Sequence, residues 1–391
     1  MTIMKKLMML LPLAALVLTS CSSDNVEQLA DDVTIVNYPE GAIWFSTDIE
    51  TTRGLTTAAN FREFKVTGVH SNAEYAFSKL ILTSENGTVW TYNTGDEQKP
   101  FKYWPADNTE VNFYAYAPSS LQEKVVIDNA YGKQITGFQQ AQTVANQIDV
   151  LSAYATGSKS SNAYTGVTLD FKHALSQIEI KAKNSQTDKY TVKVKGVKLC
   201  RVNDEGNMLF QTAAADYPTW NTLSGKQSFI KKGDTETTLT GSVQSIMFGN
   251  DNFLMLPQSL TAWDGTANDA QEGAYLAVLC QIVRLSDNKQ IYPDDAGKYG
   301  FSAVPIGTKW EVGHKYVYTL DFFGAGDGAG QVDPDPKNPE NPSDSDVDVK
   351  PKGDDGAGGD PIIDDAKSPI KFTVTITDWV NLEGDNSVID L

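Results

Sequence analysis

Histidines, cysteines and carboxylates are the residues of this chain that can do chemistry, and few of them are spaced for it. The three histidines, His70, His173 and His314, lie far apart, and none has the H-E-x-x-H spacing of a catalytic zinc site. His173 borders an apolar run, where we expect a hydrogen-bonded structural histidine. The sequence has neither the glycine-rich phosphate loop nor the G-x-S-x-G serine turn. It thus favours a protein that is not an enzyme and needs no cofactor.

Clustered carboxylates are the other candidates. Asp344, Asp346 and Asp348 have the spacing that begins a calcium-binding loop. However, the sixth position is Val349 instead of glycine, and the twelfth is Asp355 instead of glutamate. Weak calcium binding stays open, but we favour solvated charge and predict no metal site. Nothing singles out a carboxylate pair for glycoside hydrolysis among the 50 acidic residues.

Cys21 stands where an exported chain would be cut. Lys5 and Lys6 precede the apolar run Leu7–Leu18, and small residues then lead into the cysteine. That run of about 12 residues is too short to span a bilayer, which takes roughly 20. The segment resembles the bacterial lipobox, in which the cysteine is acylated and begins the mature chain. We therefore predict a signal peptide at residues 1–20 and a lipid on Cys21; an unmodified cysteine beside an ordinary cleavage site is the alternative.

The charge of the chain argues against nucleic acid as a partner. The 391 residues carry a net charge of −18, and loss of Lys5 and Lys6 makes the mature chain more acidic. Such a surface repels phosphate backbones and anionic lipids. Membrane attachment must therefore come from the acyl chains.

Cys200 and Cys280 are the cysteines that remain after lipidation, and each lies in an apolar, strand-like run. A disulfide or redox pair is one interpretation. Two buried thiols that behave as small hydrophobic groups are the interpretation that we favour.

Short β-branched and aromatic runs, separated by Gly, Asn, Asp and Pro, predict an all-β protein of sandwich or barrel type. Ile178–Lys183 alternates apolar and charged residues, as a half-exposed strand does. The polar segment 156–165 predicts a boundary between an N-terminal domain at 54–160 and a C-terminal domain at 161–323.

Residues 324–368 form an acidic segment that is rich in Pro and Gly. Its 12 acids and 4 lysines give it a charge of −8, and its few aliphatic residues predict a disordered or extended linker. A strand-like run follows within residues 369–391. Two alternatives stay open for it: return to its own sheet across a long loop, or extension to another subunit.

Six motifs occur in order along the chain and together resemble the fimbrillin-like (Mfa-like) family of Bacteroidales. They are Val111–Pro118, Asp149–Ala153, Leu169–Ile178, Phe253–Gln258, Trp310–Tyr318 and Val374–Trp379. The resemblance implies two transthyretin-like (Ig-like, Greek-key) β-sandwich domains in tandem and a fimbrial, or pilus, subunit exported as a surface lipoprotein. It also implies that a trypsin-like protease cuts after an arginine and removes the first strand. A strand from a neighbouring subunit then fills the groove by β-augmentation.

Plausible parts for this mechanism can be read from the sequence. The removable strand would be Ala42, Ile43, Trp44 and Phe45, within a lipidated tail at residues 21–53. Arg53 is the candidate cleavage site, although it could equally be an ordinary surface arginine. The candidate donor strand has Phe372, Val374 and Ile376 on one face and Trp379 on the opposite parity.

These features predict a lipid-anchored precursor at the outer membrane and cell surface, with other fimbrial subunits and a maturation protease as partners. A non-polymerising adhesin or glycan-binding lipoprotein, or a fimbrial tip or accessory subunit, is the alternative. It would bind a host or bacterial surface ligand. The aromatic residues Trp90, Tyr92, Tyr103, Trp104 and Trp220 are candidates for stacking on sugars, although we favour packing in the core or in hairpins for them.

Overall fold

The computed structural model describes residues 38–49, 56–70, 75–92, 94–95, 97, 100–128, 132–266, 272–325, 328–349, 358–363, 370–378 and 387–390. The strands in the first half of these residues are β1 (Phe45–Ile49), β2 (Glu63–His70), β3 (Tyr75–Thr83), β4 (Thr91–Tyr92), β5 (Val111–Ala117), β6 (Val125–Asp128), β7 (Gly132–Gln139), β8 (Leu151–Gly157), β9 (Val167–His173), β10 (Ser176–Asn184) and β11 (Tyr190–Leu209). Those in the second half are β12 (Thr219–Thr238), β13 (Gln244–Ser245), β14 (Phe253–Met255), β15 (Tyr275–Arg284), β16 (Lys289–Tyr292), β17 (Gly300–Pro305), β18 (His314–Phe322), β19 (Gln331–Val332), β20 (Lys371–Asp378) and β21 (Ser387–Asp390).

Helical structure among the described residues is limited to short segments. They are the single-turn helix α1 (Lys159–Asn162) and the 3₁₀ turns Ser119–Glu123 and Val144–Asn146. The predicted all-β class is therefore confirmed, whereas the transthyretin-like arrangement of two sandwiches stays a prediction. No helix in the described part of the chain has the length and apolar character needed to cross a bilayer.

The strands form three sheets. The N-terminal sheet has the order β1-β9-β8-β5-β2-β3-β4. The C-terminal sheet has the order β13-β10-β18-β20-β21, with β14 also paired to β10. The large sheet has the order β19-β17-β15-β11-β7-β6, with β12 paired to β11 and β16 to β15.

The predicted domain boundary at residues 160 and 161 divides the N-terminal sheet and needs correction. β8 and β9 pair antiparallel on either side of that boundary, with Leu151 opposite His173. The polar segment 156–165 contains α1 and is thus a connection within one sheet. In addition, the β6–β7 hairpin joins the large sheet through β11. Turn-forming composition marks both kinds of connection, so it could not separate a loop from a boundary.

Aromatic side chains dominate the core of the N-terminal sheet. Phe64 lies 4.7 Å from Trp90 and 5.1 Å from Phe171, measured between ring centroids, and Phe61 lies 4.9 Å from Phe171. The C-terminal and large sheets share a second core that contains Ile178, Ile180 and Ala182 of β10. The alternation predicted for β10 is present, because these residues are buried and the charged ones between them are half-buried.

The described parts of the acidic segment are packed on the large sheet, which corrects the prediction of a disordered or extended linker. Val332, Val347 and Ile362 are buried. The buried Asp333 carboxylate lies 2.6 Å from Lys198 Nζ and accepts a hydrogen bond from the Tyr275 hydroxyl at 2.7 Å. Few aliphatic residues suffice here because each enters a core that other strands have already built.

Lysines of the large sheet pair with two of the three carboxylates of the calcium-like motif. Asp344 lies 2.5 Å from Lys232 Nζ, and Asp346 lies 2.8 Å from Lys195 Nζ. The described residues contain no cluster of side chains arranged to hold a metal ion.

Cys200 and Cys280 are free, fully buried thiols, in agreement with the favoured interpretation. Burial raises the pKa of Cys200 to about 12 and that of Cys280 further. Both groups are therefore protonated and unreactive at neutral pH.

Candidate functional site

The first strand forms one edge of the N-terminal sheet. β1 pairs in parallel with β9, from Phe45 opposite Val167 to Ile49 opposite Phe171. The Val167 amide donates to the Trp44 carbonyl oxygen at 2.9 Å, so the pairing begins one residue before β1. A parallel pair is slightly less stable per residue than an antiparallel one. This edge is thus held by a comparatively weak ladder.

Alternate side chains of this strand enter the core. Ile43 is fully buried, and Phe45 and Ile49 are only 3% and 5% exposed. The Phe45 ring meets Phe113 edge to face, with centroids 5.3 Å apart. Between them, Thr47 Oγ1 accepts a hydrogen bond from the Trp90 indole N–H at 2.9 Å. We call the space that these four side chains fill, beside β9, the first-strand groove.

The loop before β5 also holds the start of this strand. The Ile43 amide donates to the Lys102 carbonyl oxygen at 2.7 Å, and the Trp104 amide donates to Gly41 at 3.0 Å. The Tyr92 hydroxyl donates to the Ile43 carbonyl oxygen at 2.7 Å. Burial raises the pKa of Tyr92 to about 12, so the hydroxyl keeps this proton at neutral pH.

Trp44 lies on the outer face of the strand. Its ring stacks on Tyr38 with centroids 6.2 Å apart. Gly166 leaves room for this ring, because a Cβ on Gly166 would lie only 2.5 Å from it. Gly166 also has a φ of +69°, which favours glycine. The predicted removable residues Ala42, Ile43, Trp44 and Phe45 are therefore an ordered part of this edge.

The chain leaves β1 at Ile49 and is next described at Thr56. The Thr56 amide donates to Asp149 Oδ2 at 3.1 Å, and Asp149 Oδ1 lies 3.0 Å from His173 Nδ1. His173 and Asp149 are buried, so His173 is the structural, hydrogen-bonded residue that the sequence predicts. Arg53 and Cys21 lie outside the described residues.

The candidate donor strand lies in the C-terminal sheet of its own chain. β20 pairs antiparallel with β18, with Phe372 opposite Leu320, Val374 opposite Tyr318 and Ile376 opposite Tyr316. Val374 is fully buried, whereas Phe372 and Ile376 are only partly buried. Of the two alternatives open from the sequence, the described chain adopts the return to its own sheet. Trp379 lies outside the described residues.

Most of the aromatic residues proposed to stack on sugars pack inside the protein. Trp90 and Trp104 are buried, and the Trp220 indole N–H donates to the Ala174 carbonyl oxygen at 2.6 Å. Tyr103 is the exception, with 52% of its surface exposed.

Three residues beyond the predicted site residues complete the inward faces of the two strands. Thr47 and Ile49 extend the inward face of the first strand, and Ile370, which is 2% exposed, extends that of the last. The same alternation that revealed Phe45 and Val374 continues to these residues and was sufficient to find them.

Comparison with known proteins gives one family. The fimbrillin-like family matches residues 50–333. The chain matches none of the curated proteins. Among solved structures, it is similar to a fimbrial protein from Bacteroides vulgatus, with 15% identity over 71% of this chain and 94% of that one, and a TM-score of 0.48. A candidate cell adhesion protein from Bacteroides uniformis has 16% identity over 86% of this chain and 98% of that one, with a TM-score of 0.44.

Proposed function

We propose, from the premise that this chain belongs to the fimbrillin-like family, that it is a structural subunit of a cell-surface fimbria and contributes to adhesion. Membership in that family supports a surface location, fimbrial subunits as partners and a non-catalytic role. The finer proposal has three parts. The chain is exported to the outer membrane as a precursor with a lipid on Cys21, a trypsin-like protease cuts it after Arg53, and it polymerises by donor-strand exchange.

The edge position of β1 is the observation that carries this proposal. A strand at the end of a sheet can leave without breaking any other pair, and its loss exposes a row of backbone groups that a new strand can bind. Loss of β1 would also empty the first-strand groove, which is lined by Phe113 and Trp90. Exposed aromatic surface of this kind drives the capture of another apolar strand.

The position of Arg53 suits removal of this strand. Arg53 follows Ile49, the last residue of β1, by four residues. Thr56, three residues after Arg53, is anchored by its bond to Asp149. A cut after Arg53 therefore separates Cys21 and β1 from the sheet and keeps the anchored side of the chain in place.

β20 is the proposed donor. The last described residue before it that packs on the second core is Ile363, and residues 364–369 connect Ile363 to Ile370. The seven Cα–Cα steps from Ile363 to Ile370 span at most about 25 Å, so the recipient subunit must dock close to the donor. Phe372 and Ile376 are partly exposed in β20, and their full burial in a groove would each contribute up to about 1.5–3 kcal/mol.

A non-polymerising adhesin or glycan-binding lipoprotein, or a tip or accessory subunit, is the second candidate. β20 lies in its own sheet, and a subunit that ends a filament has no need to release it. The exposed Tyr103 ring gives such a protein one surface on which a sugar of a host or bacterial ligand can stack.

Controlled proteolysis tests the proposal. The mature chain carrying Cys21→Ser is treated with an arginine-specific protease, and the products are identified by N-terminal sequencing and unboiled SDS electrophoresis. We expect one early cut after Arg53, followed by SDS-resistant ladders, and neither in Arg53→Ala. Arg62→Ala is the matched control, because the Arg62 guanidinium already donates to the carbonyl oxygens of Phe61 and Ala59. A clean cut that leaves only monomer would favour the second candidate.

A further inference from the structure

The first-strand groove and the last strand of this chain have the same side-chain pattern. We propose that the groove accepts β20 of a second copy in a single direction and register, parallel to β9; this inference rests on the proposed strand exchange. In that register, each inward residue of β20 takes the position of one inward residue of the first strand. The pairs are Ile370 with Ile43, Phe372 with Phe45, Val374 with Thr47 and Ile376 with Ile49.

Side-chain size supports this register. Phe372 replaces a phenylalanine whose ring meets Phe113 edge to face, so the aromatic contact can be kept. Val374 has nearly the same shape as Thr47, which it replaces beside the Trp90 indole, but it provides no acceptor for the indole N–H. The two outer pairs exchange isoleucine for isoleucine at sites that are almost fully buried.

The reversed direction fits less well. With β20 antiparallel to β9, Phe372 would occupy the position of Thr47. That position is occupied by a small side chain only 2.9 Å from the Trp90 nitrogen, and a phenyl ring there would need the neighbouring core to move. Val374 would occupy the position of Phe45 and leave part of the space beside Phe113 empty.

Shifted registers also fail. A shift of two residues in one direction brings Asp378 to the position of Ile49, which is 5% exposed. The opposite shift brings Ser368 to the fully buried position of Ile43 and again sets Phe372 beside Trp90. A shift of one residue turns the threonines of β20 inward and its apolar residues outward.

The solvent-facing residues next to the groove favour binding of the donor strand over binding of the first strand. Asp48 of β1 lies directly opposite Asp170 of β9, and like charges in this arrangement repel each other. In the proposed register, the neutral Thr375 takes the place of Asp48. The donor therefore keeps the apolar contacts of the first strand and removes its like-charge pair. Since groove and donor belong to the same sequence, the partner is a second copy of this chain.

Disulfide mapping tests the register. Asp170→Cys is combined, one at a time, with Thr375→Cys, Thr373→Cys, Thr377→Cys or Lys371→Cys in the Cys21→Ser chain. The chains are cut with the arginine-specific protease, oxidised mildly and separated without reductant. We expect reducible links between subunits for Asp170→Cys with Thr375→Cys. Links with position 373 or 377 would show a shifted register, and links with position 371 a reversed strand; each of these results overturns the proposal.

Two controls separate this inference from the proposed function. The uncut double variant Asp48→Cys/Asp170→Cys should form a disulfide within one chain, which verifies the β1–β9 geometry. The Cys21→Ser chain without added cysteines reports polymerisation itself. Absence of ladders in that chain contradicts the proposed function, whereas ladders without any link to position 170 contradict only the donor assignment. The native Cys200 and Cys280 are fully buried and do not take part.

Discussion

Asp48 and Asp170 face each other across the parallel pair that holds the first strand to its sheet. Lys172 Nζ lies 3.0 Å from the Asp170 carboxylate and offsets part of the repulsion. A like-charge pair at this position weakens the attachment of β1 but leaves its apolar side chains well buried. The first strand is thus packed as a core strand on one face and destabilised on the other.

Asp48→Asn should therefore strengthen the attachment of β1 in the uncut chain. Removal of one of two opposed charges is expected to contribute about 0.2–1 kcal/mol to local stability. Hydrogen exchange at the amides of Phe45–Ile49 measures this, because it reports the free energy of local opening. Asp188→Asn, in the exposed turn between β10 and β11, is the matched control and should leave the exchange unchanged. Equal protection in both variants would contradict the role given to the pair.

A disulfide between β1 and β9 should block polymerisation even after cleavage. Ser46 Oγ and Thr168 Oγ1 lie 3.0 Å apart, so Ser46→Cys/Thr168→Cys can bridge the two strands. We expect the oxidised double variant to be cut after Arg53 and to remain monomeric, because the cut strand still fills the groove. Addition of reductant should start ladder formation. The single variant Ser46→Cys should polymerise under both conditions. Ladders from the oxidised double variant would mean that the groove under β1 is not the site of assembly.

Much of this site could be predicted from the sequence, because alternation is a local signal. The inward residues Ile43 and Phe45, and Val374 in the last strand, follow from a period of two. The pairing of these strands could not be predicted in the same way. β1 pairs with β9, whose first residue, Val167, is more than a hundred positions away, and no local pattern specifies that partner.

The acidic segment shows a second limit of prediction from the sequence. Its composition indicates a chain that cannot build a core by itself, which is correct as far as composition goes. Asp333, however, is held by a buried lysine from a distant strand, and Val332 enters a core formed by others. Tertiary contacts of this kind order a segment that local reasoning assigns to a linker.

Val374→Thr should shift the balance of the last strand towards exchange. In its own sheet, Val374 is fully buried in an apolar core, where an unpaired hydroxyl costs about 1–3 kcal/mol. In the groove, the new hydroxyl would stand where Thr47 accepts the bond from the Trp90 indole N–H. We expect a less stable uncut chain and faster ladder formation after cleavage. Val374→Ala, which loses volume in both places, is the control and should slow the ladders. Equal slowing in both variants would contradict the pairing of Val374 with Thr47.

The buried ion pair between Lys198 and Asp333 should hold the acidic segment on the large sheet. It thereby limits the length of chain that connects the donor strand β20 to its own subunit. Lys198 is 1% exposed in its side chain, and its Nζ also donates to the Asp335 carbonyl oxygen at 2.6 Å. Lys198→Met would leave the Asp333 carboxylate buried and unpaired, so a loss of about 3–5 kcal/mol in the free energy of unfolding is expected. Lys198→Met/Asp333→Leu should recover much of that loss. Urea unfolding measures both, and Lys309→Ala, which breaks the exposed pair with Glu311, should cost less than about 1 kcal/mol.

The same pair predicts a loss of stability in strong base. Burial alone would lower the pKa of Lys198, but the charged and hydrogen-bonding groups around it, with the Asp333 carboxylate first among them, together outweigh burial and raise the pKa above its ordinary value of 10.5. A lysine whose pKa is higher in the folded chain than in the unfolded chain stabilises the fold fully below the unfolded value. That stability is lost as the pH rises from 10.5 through the folded pKa. Urea unfolding at pH 9 and above pH 10.5 should therefore show a fall in the parent chain that is much smaller in Lys198→Met/Asp333→Leu. An equal fall in both chains would assign the alkaline transition to other groups.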